Sequence, residues 1–206
     1  MQAKDHWEKV YAAKTTDEVS WFQPHAAVSL RLIQETGEPR SAAIIDVGGG
    51  ASTLVDDLLA SGYDHLTVLD ISAAALAAAQ RRLGARARSV NWREADVVTA
   101  SLPAQTFDIW HDRAVFHFLI TPEARRAYVA AVCQALKPGG HLIVATFADD
   151  GPNKCSGLPA MRYGPNELYA EFGAAFVTIK YELESHQTPT GAQQKFVYCH
   201  FRKALA

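Results

Sequence analysis

The chain has few of the residues that staple or anchor a protein. Its three cysteines among 206 residues, Cys133, Cys155 and Cys199, form no C-x-x-C pair and no even set, so neither a zinc knuckle nor a disulfide framework is indicated. No apolar run approaches the ~20 residues that cross a bilayer, and the opening MQAKDHWEKVY is charged and amphipathic with no signal-peptide core. Charge of one sign is lacking too. Twenty Lys and Arg against 22 Asp and Glu leave a formal charge of −2, which gives no electrostatic case for nucleic acid. Arg81, Arg82, Arg86 and Arg88 cluster locally and read as a solvated helix end. Unpaired thiols without a membrane span predict a cytoplasmic protein with no membrane partner. Internal repeats, low-complexity tracts and linkers are also absent. One domain over residues 1–206 is therefore expected, with a helical extension over 1–40 and a core over 41–206.

What is present is concentrated in AAIIDVGGGAST, Ala42 to Thr53. An apolar run meets an aspartate, then a glycine loop, then Ser52 and Thr53 opening a helix. Glycine lets backbone approach a nucleotide-like ligand closely, because it has no Cβ and tolerates positive φ. Asp70 closes the next apolar run, HLTVLD, at the spacing where an acid meets two ribose hydroxyls. Asp46 sets a carboxylate at the mouth of the loop, where a diphosphate would compete with it for one helix N-terminus. An ammonium and a sulfonium would instead be attracted, which favours S-adenosylmethionine over a dinucleotide. Thr53 also stands where the dinucleotide fingerprint requires its third glycine or alanine. A nicotinamide oxidoreductase, a cofactor-binding module without catalysis, and a plain strand-turn-helix remain as alternatives.

Helices and strands alternate along the chain, the pattern of a sheet covered on both faces. Strands are predicted at 42–47, 65–71, 88–92, 107–110 and 141–147, the last after the turn KPGG. Helices are predicted at 25–36, at 53–60, from the Ser72 cap to Leu83, and from Pro122. Two β-rich segments, 176–183 and 195–202, are predicted to close the chain as a hairpin.

Five segments, IIDVGGG (44–50), VLDIS (68–72), EADV (94–97), FDIWHDRAVFHFL (107–119) and LKPGGHLIVATF (136–147), resemble the core motifs of the class I S-adenosylmethionine-dependent methyltransferases. The resemblance covers most of the chain. It implies a doubly wound, mostly parallel, seven-stranded Rossmann-like sheet with a C-terminal antiparallel hairpin. It further implies that Gly48 and Gly50 lie under the methionine part of the cofactor, that Asp70 binds the ribose, that Asp96 meets the adenine amino group, and that Ile71 and Val97 sandwich the ring. The Asn/Asp-Pro-Pro-aromatic motif of some methyltransferases is missing. FDIWHDRAV resembles instead the branch containing protein-lysine methyltransferases, with Arg113 in place of its lysine and His117 where it often has an aspartate.

The acceptor is therefore expected to be a small molecule or a protein lysine. Asp112, His111 and His117, in that order, are candidates to take its proton. HWEKVYAAKTTDEVSWFQ (6–23) also resembles that branch. Trp7, Tyr11, Trp21 and Phe22 are expected either to fold over the cofactor, with Trp21 touching it, or to pack an ordinary amphipathic helix on the sheet. No metal site is indicated. A soft-metalloid acceptor held by Cys155 and Cys199 rests on residue type alone. The irregular segment 149–163 is placed to shape the acceptor pocket.

Overall fold

A computed structural model describes residues 2–205. The run IIDV becomes strand β1 (Ile44–Val47), buried along its whole length, as a strand covered on both faces must be. β2 (Leu66–Asp70) and β3 (Val90–Glu94) pair parallel on one side of it, and β4 (Phe107–Arg113) and β5 (Leu136–Ala148) on the other. Three two-residue strands follow in the 149–163 segment: β6 (Lys154–Cys155), β7 (Leu158–Pro159) and β8 (Arg162–Tyr163), the last pairing with the end of β5. The chain ends in the antiparallel pair β9 (Phe176–Gln187) and β10 (Gln193–Lys203). The resulting order is β3-β2-β1-β4-β5-β10-β9, with β10 antiparallel to β5. The expected mostly parallel sheet with a C-terminal hairpin is thus present.

Helices cover both faces. α1 (Gln2–Ala13), α2 (Ala27–Glu35), α3 (Leu54–Ala60) and α4 (Ala73–Leu83) precede β3, while α5 (Pro122–Ala135) and α6 (Pro165–Phe172) follow β4. Sequence chemistry accounts for several ends. The Ser72 hydroxyl accepts from the Ala75 N–H to open α4, Thr121 does the same for α5 with Pro122 in its first turn, and Gly84 at φ 59° ends α4. One buried cluster unites α5 and α6 with Val144, Val197 and Phe201, and another unites α2, α3 and α4 with Ile143, Ala145 and Tyr198.

Two predicted boundaries are corrected. β5 begins at Leu136 rather than His141, because KPGG is a bulge in the strand, with Gly139 at φ 75° and a register shift against β4. β4 runs to Arg113 rather than Trp110, so His111, Asp112 and Arg113 lie in the sheet and not in the loop after it. Cross-strand partners hold them there, Asp46 opposite His111, and Val47 and Val144 flanking Asp112.

Candidate active site

The carboxyl ends of β1, β2 and β4 open into a cavity of about 320 Å3 under α1 and the strap that follows it. A smaller compartment of about 50 Å3 lies at the glycine loop, and the two share Tyr11, Trp21, Gly48 and Arg113 in their walls.

Each loop glycine is required for its own reason. Gly48 has φ 69°, and a Cβ there would come within 2.0 Å of Val115 Cγ2. A Cβ on Gly49 would strike Asp46 Oδ2 at 2.3 Å, and one on Gly50 would strike Asp70 Oδ2 at 2.4 Å. Gly48 therefore borders the ligand space, whereas Gly50 borders neither compartment and seats Asp70 instead.

Asp46 and Arg113 bound the smaller compartment. Asp46 is buried, and its Oδ1 accepts from His111 Nδ1 at 2.7 Å. Its Oδ2 has no hydrogen-bond partner among the described residues. A buried carboxyl oxygen left without a partner is costly unless a donor arrives from a ligand. Arg113 donates through Nε to the Tyr198 hydroxyl at 2.8 Å, through Nη2 to Glu184 at 3.2 Å and through Nη1 to the Trp21 carbonyl at 3.3 Å. Its guanidinium also lies 4.2 Å over the Phe196 ring.

Asp70, Ile71, Asp96 and Val97 line the larger cavity. Asp70 accepts from the Ser72 N–H at 2.8 Å, and burial pushes its carboxyl up to about 7 despite the Ser72 and Gly50 N–H donors. Asp96 accepts from the Val98 N–H at 3.1 Å, an Asx turn that fixes the loop carrying Val97. Aromatic rings line it too. Trp7 meets Trp21 edge-on at 5.5 Å and Phe118 at 5.2 Å, and Tyr11 packs 6.2 Å from Trp21. α1 is fastened over this space by Glu8, which accepts from the Ala73 N–H at the start of α4 at 2.6 Å, and by an ion pair of Lys4 with Glu94.

The three residues expected to take a proton are set otherwise. Asp112 is fully buried and borders neither compartment; Oδ1 accepts from the Val115 N–H, and Oδ2 from the Phe116 N–H and the Tyr128 hydroxyl at 2.6 Å. Burial pushes it up to about 6, opposed first by the Tyr128 bond. It shapes the turn that carries Val115 to the cavity. His117 is fully buried between Phe118 and Phe147, and burial, with Arg113 nearby, pushes it down to about 3. Only His111 borders a compartment, and both its nitrogens are engaged, by Asp46 and by the Ser29 hydroxyl at 2.9 Å. Cys155 and Cys199 lie in the clusters on opposite faces of the sheet, so they cannot grip one metalloid. Among the described residues no three metal-binding side chains gather.

Sequence reasoning did not select Ser29, Glu184, Tyr198 or Glu8. Their signal is absent locally, since Glu184 and Tyr198 reach Arg113 from the hairpin and Ser29 reaches His111 from 82 residues away.

Residues 44–140 match the family described as a methyltransferase domain. Thiocyanate methyltransferase 1 of Arabidopsis thaliana is 31% identical over 144 residues, covering 68% of this chain and 60% of that protein. EEF1A lysine methyltransferase 2 of Danio rerio is 25% identical over 157 residues, covering 69% and 67%. The chain thus spans about 60% of the length of the plant relative. Among solved structures, the N-methyltransferase NodS of Bradyrhizobium japonicum WM9, in complex with S-adenosyl-L-homocysteine, superposes with a TM-score of 0.73 at 17% identity over 97% of this chain and 99% of that one. Over residues 44–140 the chain is similar to the methyltransferase-domain family, and its fold is that of solved S-adenosylmethionine-dependent methyltransferases. That likeness counts against the nicotinamide alternative.

Proposed function

We propose that this chain transfers the methyl group of S-adenosylmethionine to a small acceptor enclosed beneath its N-terminal segment. The observation that carries the reading is the pair at the glycine loop: an unpartnered buried carboxylate oxygen on Asp46 and the guanidinium of Arg113, whose side chain is 10% exposed, bordering one compartment. That pair suits the ammonium and carboxylate of an amino-acid end. Asp70 is assigned to the ribose hydroxyls, Asp96 to the adenine amino group, and Ile71 and Val97 to the faces of the ring, with Gly48 and Trp21 closing the space between. When bound, the cofactor supplies an electrophilic methyl on a sulfonium. The chain's own part is alignment and dryness, provided by Trp7, Tyr11, Trp21 and Phe118.

The acceptor end decides between a lysine and a smaller nucleophile. The carboxylates lining the two compartments are Asp46, Asp70 and Asp96, all assigned with Arg113 to the cofactor, and the acceptor end is left with aromatic rings and Cys155. No side chain there is suited to discharge a lysine ammonium. The arrangement favours a small acceptor that arrives with its lone pair free, so Asp112, His111 and His117 are assigned to positioning. A cytoplasmic address is part of the proposal, supported by three free cysteines and by no helix among the described residues long and apolar enough to cross a membrane.

Purified chain incubated with methyl-labelled S-adenosylmethionine and size-fractionated extract, with Asp70→Ala as control, tests this. Asp70-dependent label in the small-molecule fraction is the expected result. Label confined to protein would overturn the small acceptor, and failure to bind S-adenosylhomocysteine in calorimetry would overturn the cofactor assignment. Binding without transfer in any fraction would favour a module without catalysis.

A further inference from the structure

Ser29 is out of keeping with its surroundings. It shares the buried stripe of α2 with Leu32 and Ile33, a place that helical periodicity ordinarily gives to an apolar side chain. A hydroxyl withdrawn from water needs a partner. Ser29 Oγ lies 2.9 Å from His111 Nε2, and His111 Nδ1 lies 2.7 Å from Asp46 Oδ1. The sheet brings the last two together, because β1 and β4 are parallel neighbours with Asp46 opposite His111 in register. Two residues earlier on each strand, Ile44 and Ile109 pack with Leu32 and Ile33 of α2, so the three polar groups lie beneath that helix. All three are buried, and all three border the smaller compartment.

The order of donors follows from charge. An ionised Asp46 only accepts, so the proton between the two rests on His111 Nδ1. A neutral ring then presents a bare Nε2, and the Ser29 hydroxyl donates to it. Without that donor the ring is free to carry its proton on Nε2, which would turn a lone pair on Asp46. With it, Oδ1 is held, and Oδ2, beside Gly49 and unpartnered among the described residues, is the oxygen left for a ligand. We propose that Ser29 and His111 are positioning residues for the amino-acid end of the cofactor, an inference that rests on the assignment of Asp46 to its ammonium. Ser29 fixes the tautomer, His111 fixes the carboxylate, and the chain thereby favours a cofactor with a cation at that end.

Calorimetry on the full chain with two probes tests this: S-adenosylhomocysteine, which has the amino-acid end, and methylthioadenosine, which lacks it. The preference for the first over the second isolates that end, whereas damage to the fold weakens both alike. Asp46→Asn should cut the preference about tenfold or more, the scale of a lost bond between charged groups. Ser29→Ala should cut it about threefold and leave methylthioadenosine binding unchanged. His111→Asn, whose amide nitrogen can stand in for Nδ1, should keep most of the preference, and Ser29→Ala added to it should cost nothing more. In the unaltered chain, proton–nitrogen correlation NMR of the imidazoles near neutral pH should show His111 protonated at Nδ1 alone. A ring protonated at Nε2 or at both nitrogens would overturn the proposal, as would a Ser29→Ala variant that keeps the full preference or weakens both probes alike. A preference unmoved by Asp46→Asn would overturn the assignment of Asp46 itself.

Discussion

Asp70 ties cofactor affinity to pH. In the folded chain its carboxyl holds a proton up to about pH 7, whereas an unfolded aspartate loses it near about 3.9. The folded state thus binds more protons between these limits, so this residue's contribution to stability falls as pH rises through that window and levels off above it. Asp112, raised to about 6, acts in the same direction. Ribose hydroxyls require the carboxylate as acceptor, so S-adenosylhomocysteine should bind about tenfold more weakly at pH 6 than at pH 8, with a proton released on binding. Calorimetry in buffers of different ionisation enthalpy measures both quantities, and Asp70→Asn should flatten the dependence. A flat profile in the unaltered chain would show that Asp70 does not hold the ribose. Tyr128 offers a separate test of the buried network. Its hydroxyl donates to Asp112 and accepts from the Trp110 indole N–H at 3.0 Å, so Tyr128→Phe strands one donor and thins one acceptor. A loss of about 1–3 kcal/mol in chemical unfolding is expected. No loss would mean that water serves both groups equally well.

α1 illustrates what an element adds to residues already in place. It contributes none of the ribose and adenine carboxylates, yet its Trp7 and Tyr11 close the cavity those carboxylates line. Removing residues 1–13 should leave the sheet folded and weaken S-adenosylhomocysteine binding at least about tenfold, the scale of one desolvated aromatic wall. Unchanged affinity would reduce α1 to packing. Most elements were legible in the chain because their signals are local: an all-apolar run for β1, Ser72 and Pro122 at helix starts, and glycines where φ must be positive. The end of β4 was not legible. WHDR looks like a loop because polar residues normally leave a sheet, and what keeps them inside comes from Ser29 on α2 and Tyr128 on α5. KPGG misled in the opposite sense, because a bulge and a turn use the same residues.

On the scale of the whole molecule, the order of the strands and the place of the ligand space followed from the motifs, since parallel strands gather their carboxyl-end loops at one edge. The tethering of the N-terminal strap did not, because its partners are scattered through the chain. His186 Nε2 donates to the Ser20 carbonyl at 2.8 Å, Gln23 Nε2 donates to Glu184 at 2.7 Å, the Thr53 hydroxyl donates to the Gln23 carbonyl at 2.9 Å, and Arg113 holds the Trp21 carbonyl. Four ties drawn from β9, β4 and the start of α3 must loosen together before the smaller compartment opens. Exchange of spent for fresh cofactor is then expected to be slower than the transfer itself. Mixing enzyme already loaded with S-adenosylmethionine and excess acceptor should give a rapid burst of one product per chain before a slow steady rate, and Gln23→Ala should raise only the second phase. Such a chain would set its turnover by how often the strap lets go, and the chemistry would spend most of each cycle waiting.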